Sequence, residues 1–125
     1  MILVLRALLG IVGVLGLMVS LGFWFDTDNA AARFGLAARD ALGYSSLRAD
    51  VGALFAATGV LSLAAAVRNN ARLLTAPLLL IGIGFCGRLL TIVLSGYEAT
   101  MLQPMVTEVV LISLFAAGRN LLSKG

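Results

Sequence analysis

Long runs of apolar residues, each ended by charged or turn-forming residues, divide this sequence. Four runs are present, at residues 2–25, 49–67, 73–95 and 103–121, the fourth reaching this length only with its flanks. About 20 helical residues cross the hydrocarbon core of a bilayer. Because backbone amides need internal partners in lipid, and because the strict alternation of a barrel strand is absent, these runs predict helices. The expected fold is an all-α, antiparallel bundle of four transmembrane helices in a single domain.

The segment between the first two runs carries helix signals of its own. Asp28 or Asn29 suits an N-cap, the alanine-rich stretch that follows has a high helix propensity, and Gly43 suits a C-cap. We therefore predict a short helix over residues 29–42, lying in the membrane interface. This helix would serve either as a connector or as a lid.

The composition agrees with a lipid environment. Hydrophobic residues make up 61% of the chain and charged residues 12%, whereas an ordinary soluble domain is about 25% charged. A soluble globule of this size would need more polar side chains to cover its surface. The bilayer is therefore the first expected partner. Nucleic acid is not an expected partner, because the basic residues are scattered.

The residue types present exclude several kinds of chemistry. The sequence has no His and a single Cys, Cys86, which removes imidazole ligands and bases, an internal disulfide and a redox pair. Ser45 and Ser46 have no His or Lys placed to activate them as nucleophiles. We therefore expect no metal, no cofactor and no catalytic residue of a familiar type.

The distribution of basic residues predicts the orientation in the membrane. Five of them fall on one side of the predicted spans, and the loops at 26–48 and 96–104 fall on the other. Basic residues favour the cytoplasmic side. We therefore expect a multi-pass protein of the bacterial inner (cytoplasmic) membrane with both termini in the cytoplasm. The five residues are Arg6, Arg68, Arg72, Arg119 and Lys124.

Small residues recur on one face of each of the first two predicted spans. Close helix association in lipid depends on such residues, which let backbones approach. These faces are expected to form seams within the bundle, and the alternative is a contact between two copies of the chain in a homo-oligomer. The residues are Gly10, Gly13 and Gly16 on the first span and Gly52, Ala56, Gly59 and Ala66 on the second.

Two charged residues lie inside predicted spans. Arg88 is seven residues before Ser95, hence about 10 Å below the outer surface, and Glu108 is four residues beyond Pro104, hence about 6 Å deep. Charged side chains within a membrane usually face the protein interior and pair with one another. We therefore predict an ion pair between Arg88 and Glu108.

Further polar residues fall at a similar depth, so that charges from three helices gather in the outer half while the inner half is aliphatic. Two interpretations are open. These groups either neutralise one another and fix the helix register, or they line a water-accessible cavity that binds a polar or anionic headgroup. The candidate residues are Arg48, Asp50, Arg88, Thr91, Glu98 and Glu108.

Three short motifs point to a known family. They are LRADVGALF at residues 47–55, GRLL at residues 87–90, and Glu108 followed by aliphatic residues. Together they resemble a widespread bacterial family of small four-helix membrane proteins that share a domain of unknown function. The resemblance covers most of the chain and implies an integral membrane protein without an assigned activity. The matching positions, of unassigned role, are Arg48, Gly52, Arg88 and Glu108.

The small size and the clustered charges favour a non-enzymatic membrane protein. It would be an accessory or scaffold subunit of a larger membrane complex, or a holder of a lipid-like ligand. One alternative is a proton-coupled small-molecule carrier that uses Glu108, although the aliphatic inner half argues against a continuous path. The other is a membrane-embedded enzyme that uses Asp50, Arg88 and Glu108.

Overall fold

Helices account for almost all of the computed structural model, which describes residues 1–124. Four helical stretches are long and apolar enough to cross a membrane, and no strand occurs among the described residues. The all-α fold with four candidate spans is therefore confirmed. These stretches are Ile2–Phe25, Ala41–Arg68, Ala71–Ser95 and Ala99–Leu121.

The long stretches contain shorter elements. A π-helical turn at Leu47–Val51 joins two α-helices in the second span, and single 3-10 turns at Ala71–Leu74 and Ala99–Met101 precede the last two helices. The α-helices are α1 (Ile2–Phe25), α2 (Thr27–Ala32), α3 (Ala41–Ser46), α4 (Gly52–Arg68), α5 (Thr75–Ser95) and α6 (Leu102–Leu121).

A short helix does lie between the first two spans, but its bounds differ from the prediction. α2 ends before Gly35, which adopts a left-handed conformation with φ +71° that glycine tolerates well. The Asp40 side chain then accepts a hydrogen bond from the Gly43 amide at 2.9 Å and caps α3. The predicted helix over 29–42 is thus interrupted, and Gly43 lies inside the next helix instead of ending this one.

α1 and α4 pack closely through glycine. A Cβ atom on Gly13 would lie 2.7 Å from the Gly59 carbonyl oxygen, and one on Gly59 would lie 2.7 Å from the Gly13 carbonyl oxygen. Gly16 approaches the same turn, since its Cβ would lie 3.2 Å from the Gly59 Cα. The predicted seam between the first two spans is confirmed, because only residues without a Cβ permit this approach.

All four long helices meet at the end of the bundle where both chain termini lie, here called the terminal end. Its core joins side chains from α1, α4, α6 and the turn before α5. Arg6 closes the end of α4 by donating to the carbonyl oxygens of Ala66 at 2.6 Å and Val67 at 2.9 Å. The buried residues of this core are Leu5, Leu9, Ala65, Ala66, Ala71, Leu74, Phe115 and Leu122.

The opposite end, here called the distal end, has a smaller core that excludes α5 and α6. Its buried members are Phe23, Ala31 and Leu47. The Phe55 ring stacks on Phe23, and the Phe34 ring contacts Phe23 at a tilt. Side chains that pack on the terminal core reach only to Ile81 on α5 and Leu111 on α6. Residues 82–110, here called the distal hairpin, therefore belong to neither core.

Candidate functional site

The predicted ion pair is present in the distal hairpin. Arg88 Nε on α5 donates to Glu108 Oε1 on α6 at 2.7 Å. It is the only ion pair within residues 1–124. The Arg88 side chain is 33% exposed and that of Glu108 is 14% exposed. The prediction of this pair is confirmed, and the pair remains partly accessible from outside the chain.

Gly84 leaves room for the Glu108 carboxylate. A Cβ atom at Gly84, one turn before Arg88, would lie 3.6 Å from Glu108 Oε2, an ordinary van der Waals separation. Oε2 and the terminal nitrogens of Arg88 have no hydrogen-bond partner in the described chain. The pair therefore keeps free donors and one free acceptor oxygen.

The surroundings of the pair are apolar and open. Gly87 lies next to Arg88, and a Cβ placed on it, or on Gly82, would meet nothing within 4 Å. The two exposed threonines nearby, Thr91 and Thr107, donate their hydroxyls to carbonyl oxygens of their own helices. The exposed aliphatic side chains nearby along α5 and α6 are Leu89, Leu90, Val106, Val109 and Val110. Because charged groups are unfavourable in lipid, this partly exposed pair is the most unusual feature of the distal hairpin.

Arg48 is engaged by α1. Its Nε donates to the Trp24 carbonyl oxygen at 3.2 Å, and Trp24 Nε1 donates in return to the Arg48 carbonyl oxygen at 3.1 Å. Ser20 Oγ donates to the Gly52 carbonyl oxygen at 2.9 Å. π-helical turns expose backbone carbonyls and often occur at functional sites. Here α1 binds carbonyl oxygens at both ends of that turn.

Gly52 is required by the position of the Trp24 indole. A Cβ atom at Gly52 would lie 2.8 Å from Trp24 Nε1, which is closer than van der Waals contact permits. The motif at residues 47–55 therefore corresponds to the π-helical turn together with the glycine on which the indole packs. Its spacing gives no sign of a π-helical turn, so the sequence indicated the residues and not their conformation.

The other candidate residues do not join the pair. Asp50 and Glu98 are exposed and form no side-chain hydrogen bond within the described chain. Thr91 is exposed, and its hydroxyl donates to the Gly87 carbonyl oxygen of its own helix at 2.9 Å. Of the six candidate residues, the structure joins Arg88 to Glu108, whereas α1 engages the segment that carries Arg48. The participation of each of these candidate residues in a binding site stays a prediction.

Sequence reasoning missed the interactions of two aromatic residues at the distal end. Tyr44 donates its hydroxyl to Asp28 Oδ1 at 2.8 Å, and its ring centroid lies 5.5 Å from the guanidinium carbon of Arg48. The contact of Trp24 with Arg48 depends on the approach of α1 to α4, which is not encoded locally. Tyr44 and Arg48 lie four residues apart in one helical stretch, and this spacing is a local signal for their contact.

The described residues contain no candidate metal centre. Within residues 1–124 no group of three or more His, Cys, Asp or Glu side chains is placed to hold a metal ion. Two shallow surface grooves are apolar. One is formed by Gly10, Val14 and Leu63 with their neighbours, and the other by Phe85 and Val109 with theirs. The polar features of interest are therefore the ion pair and the Trp24–Arg48 contact.

Comparison with known proteins gives one match. The model of a family described as a domain of unknown function, DUF4345, matches residues 4–118, which include both polar features. No curated protein and no solved structure matches the chain. The resemblance to a family of unknown function is confirmed, whereas the bacterial origin and the short motif stay predictions.

Proposed function

We propose, from the premise that this chain belongs to the DUF4345 family of domains of unknown function, that it is an accessory subunit of a larger membrane complex. A transmembrane helix of the partner would dock on the distal hairpin. The observation that carries this proposal is the Arg88–Glu108 pair, which lies within two candidate spans in the part of the bundle outside both cores.

The charges favour a polar group on the partner. Arg88 uses one of its nitrogens for Glu108 and keeps its terminal nitrogens free in the described chain. Acyl chains offer no hydrogen-bond acceptor, so a guanidinium that faces them is unfavourable. A partner helix that brings a carboxylate, amide or hydroxyl oxygen to this depth would complete the pair.

The shape of the surface favours a helix. Gly84, Gly87 and Thr91 lie beside Arg88 and are exposed. Small residues allow the backbone of a second helix to come close, as they do between α1 and α4. A lipid-like ligand needs no such approach, so we commit to a protein helix and treat the lipid as an outcome of the test.

The closed terminal end gives no support to the carrier alternative. Leu9, Leu74 and Phe115 are fully buried there among residues from all four spans. A carrier opens to both sides in turn, and the burial of these apolar side chains gives no support to an opening at that end. The enzyme alternative also needs Asp50, which forms no ion pair or side-chain hydrogen bond within residues 1–124.

The test combines site-specific photo-crosslinking with quantitative copurification from native membranes in mild detergent. A photoreactive residue at position 91 should crosslink one membrane protein, and the same residue at position 60, on the exposed side of α4, should not. Gly87→Leu and Arg88→Gln should each reduce recovery of that protein at least tenfold. Val60→Leu is the matched control and should leave recovery unchanged.

Gly87→Leu separates docking from folding, because a Cβ there meets nothing within 4 Å in the chain. Its thermal unfolding in detergent should match that of the parent chain. Equal recovery of the crosslinked protein with Gly87→Leu, Arg88→Gln and Val60→Leu would contradict the proposal. So would native mass spectrometry that finds only lipid bound in an Arg88-dependent manner.

A further inference from the structure

We propose that the distal end of the α1–α4 pair carries a second binding site, in which the Arg48 guanidinium receives the phosphate group of a membrane lipid. This site lies on other helices than the docking surface on the distal hairpin. It does not depend on the proposed function, and either proposal can fail without the other.

The Arg48 side chain is held in place by its neighbours. Nε is fixed on the Trp24 carbonyl oxygen at 3.2 Å, and the guanidinium carbon lies 5.5 Å from the centroid of the Tyr44 ring. The backbone of Arg48 is fixed in turn by the Trp24 indole. A guanidinium held on two sides loses little conformational freedom when it binds a ligand.

The terminal nitrogens of Arg48 remain available to an external anion. No carboxylate lies within 4.0 Å of this side chain among residues 1–124, where Arg88 and Glu108 form the only ion pair. Of the nearby acids, Asp28 accepts the Tyr44 hydroxyl, and Asp50, two residues along the chain, forms no bond with Arg48. A planar guanidinium with two free terminal nitrogens matches the geometry of phosphate oxygens.

The position along the helices favours a lipid over free phosphate. Arg48 meets Trp24 at the distal end of α1, and tryptophan indoles concentrate at headgroup level in membranes. Leu21 and Phe25 on the same end of α1 are strongly exposed apolar residues that acyl chains would cover. Phosphate groups of the leaflet lie at this level, so the chemistry and the location agree.

The single tryptophan of the chain supplies a direct readout. The protein, purified in dodecyl maltoside, is titrated with dioctanoyl phosphatidylglycerol while Trp24 emission is followed. Parallel titrations use inorganic phosphate and the uncharged dioctanoylglycerol. We expect a saturable change with the phospholipid, no saturation with dioctanoylglycerol, and at least tenfold weaker binding of inorganic phosphate.

Variants assign the effect to Arg48. Arg48→Gln should weaken phospholipid binding at least tenfold, and Arg39→Gln, which removes another exposed arginine of the same end, should leave it unchanged. Arg48→Gln also removes a bond to Trp24, so Arg48→Lys is measured in parallel. It keeps the positive charge but lacks the planar fork, and it should bind at least threefold more weakly than the parent chain.

Three results would overturn the inference. One is equal phospholipid binding by Arg48→Gln, Arg48→Lys and Arg39→Gln. Another is an identical response to dioctanoylglycerol, which would show that only the acyl chains are bound. The third is saturation by inorganic phosphate at the same or a lower concentration than the phospholipid, which would make the ligand a free anion.

Discussion

The α1–α4 seam and the distal hairpin use glycine in opposite ways. Between α1 and α4, a Cβ atom on Gly13 or Gly59 would lie 2.7 Å from a backbone oxygen of the other helix. On α5, a Cβ atom on Gly82 or Gly87 would meet nothing within 4 Å. The same residue type thus marks a filled seam between α1 and α4 and an open surface on the distal hairpin.

This difference separates the part of the bundle that holds the fold from the part that is free to bind. Both cores draw on α1 and α4, whereas the distal hairpin belongs to neither. Its Arg88 and Glu108 pair with each other, and its third charged residue, Glu98, forms no ion pair within the described residues. We infer that the contacts between α1 and α4 supply most of the stability of the fold. The stability of the distal hairpin then depends on the lipid or protein around it.

The largest expected loss of stability comes from replacing a glycine of the α1–α4 seam with leucine. Gly59→Leu should lower the free energy of unfolding by about 3 kcal/mol, the upper end of the usual range for overpacking, because a Cβ there lies 2.7 Å from the Gly13 carbonyl oxygen. The measurement is reversible unfolding in mixed micelles, followed by circular dichroism.

Gly82→Leu is the matched control for that experiment, because its Cβ meets no atom within 4 Å. Leucine also has a higher helix propensity than glycine, by roughly 0.8 kcal/mol, so this variant should be unchanged or slightly more stable. Equal destabilisation by the two variants would remove the distinction between a filled seam and an open surface.

The sequence predicts most of what depends on local pattern. The first span agrees at both ends with the predicted 2–25, and the glycines of α1 and α4 were assigned to seams from their spacing. Helix rise placed Arg88 and Glu108 at compatible depths, which was sufficient to predict their contact. Periodicity and depth are properties of a single helix, and a sequence records them directly.

What the sequence does not predict depends on how helices approach one another. The sequence indicates a depth for Arg48 similar to that of Arg88, but it does not indicate that the approach of α1 brings Trp24 to Arg48. The break at Gly35 depends on a left-handed turn inside a stretch with helix propensity. The distal hairpin is left out of both cores because of the way the long helices bury side chains against one another. The composition of the chain does not record this packing.

The second prediction tests whether the ion pair stabilises the distal hairpin. Glu108→Gln and Arg88→Gln should each destabilise the chain, because each leaves one charge without its partner in an apolar region. The double variant should recover part of the loss, with a coupling energy of about 1 kcal/mol, within the usual range for contacting residues. The parent chain, the two single variants and the double variant are unfolded in the same mixed micelles, which completes a double-mutant cycle. Strictly additive effects would show that the two residues act independently.

The third prediction concerns the terminal end, where α1 and α4 are joined by a charged group. Arg6→Gln should lower stability by about 1 kcal/mol, since it removes charge-assisted bonds to the Ala66 and Val67 carbonyl oxygens. Arg68→Gln is the control, because Arg68 lies at the same helix end and is exposed without a side-chain bond. Similar losses from both variants would indicate a general effect of charge instead of a specific cap.

The smallest effect separates glycine packing from hydroxyl bonding as the source of stability in the α1–α4 pair. Thr58 and Ser62 are buried on α4, and their hydroxyls have no hydrogen-bond partner among residues 1–124, whereas the buried Ser20 hydroxyl donates to the Gly52 carbonyl oxygen. Replacing an unpaired polar group by an apolar one of the same shape is nearly neutral or stabilising. Thr58→Val should therefore change the unfolding free energy by less than about 0.5 kcal/mol or raise it slightly, and Ser20→Ala should lower it by about 1 kcal/mol. If Thr58→Val destabilised the chain more than Ser20→Ala, the Thr58 hydroxyl would have to form a hydrogen bond. Glycine packing alone would then not account for the stability of the α1–α4 pair.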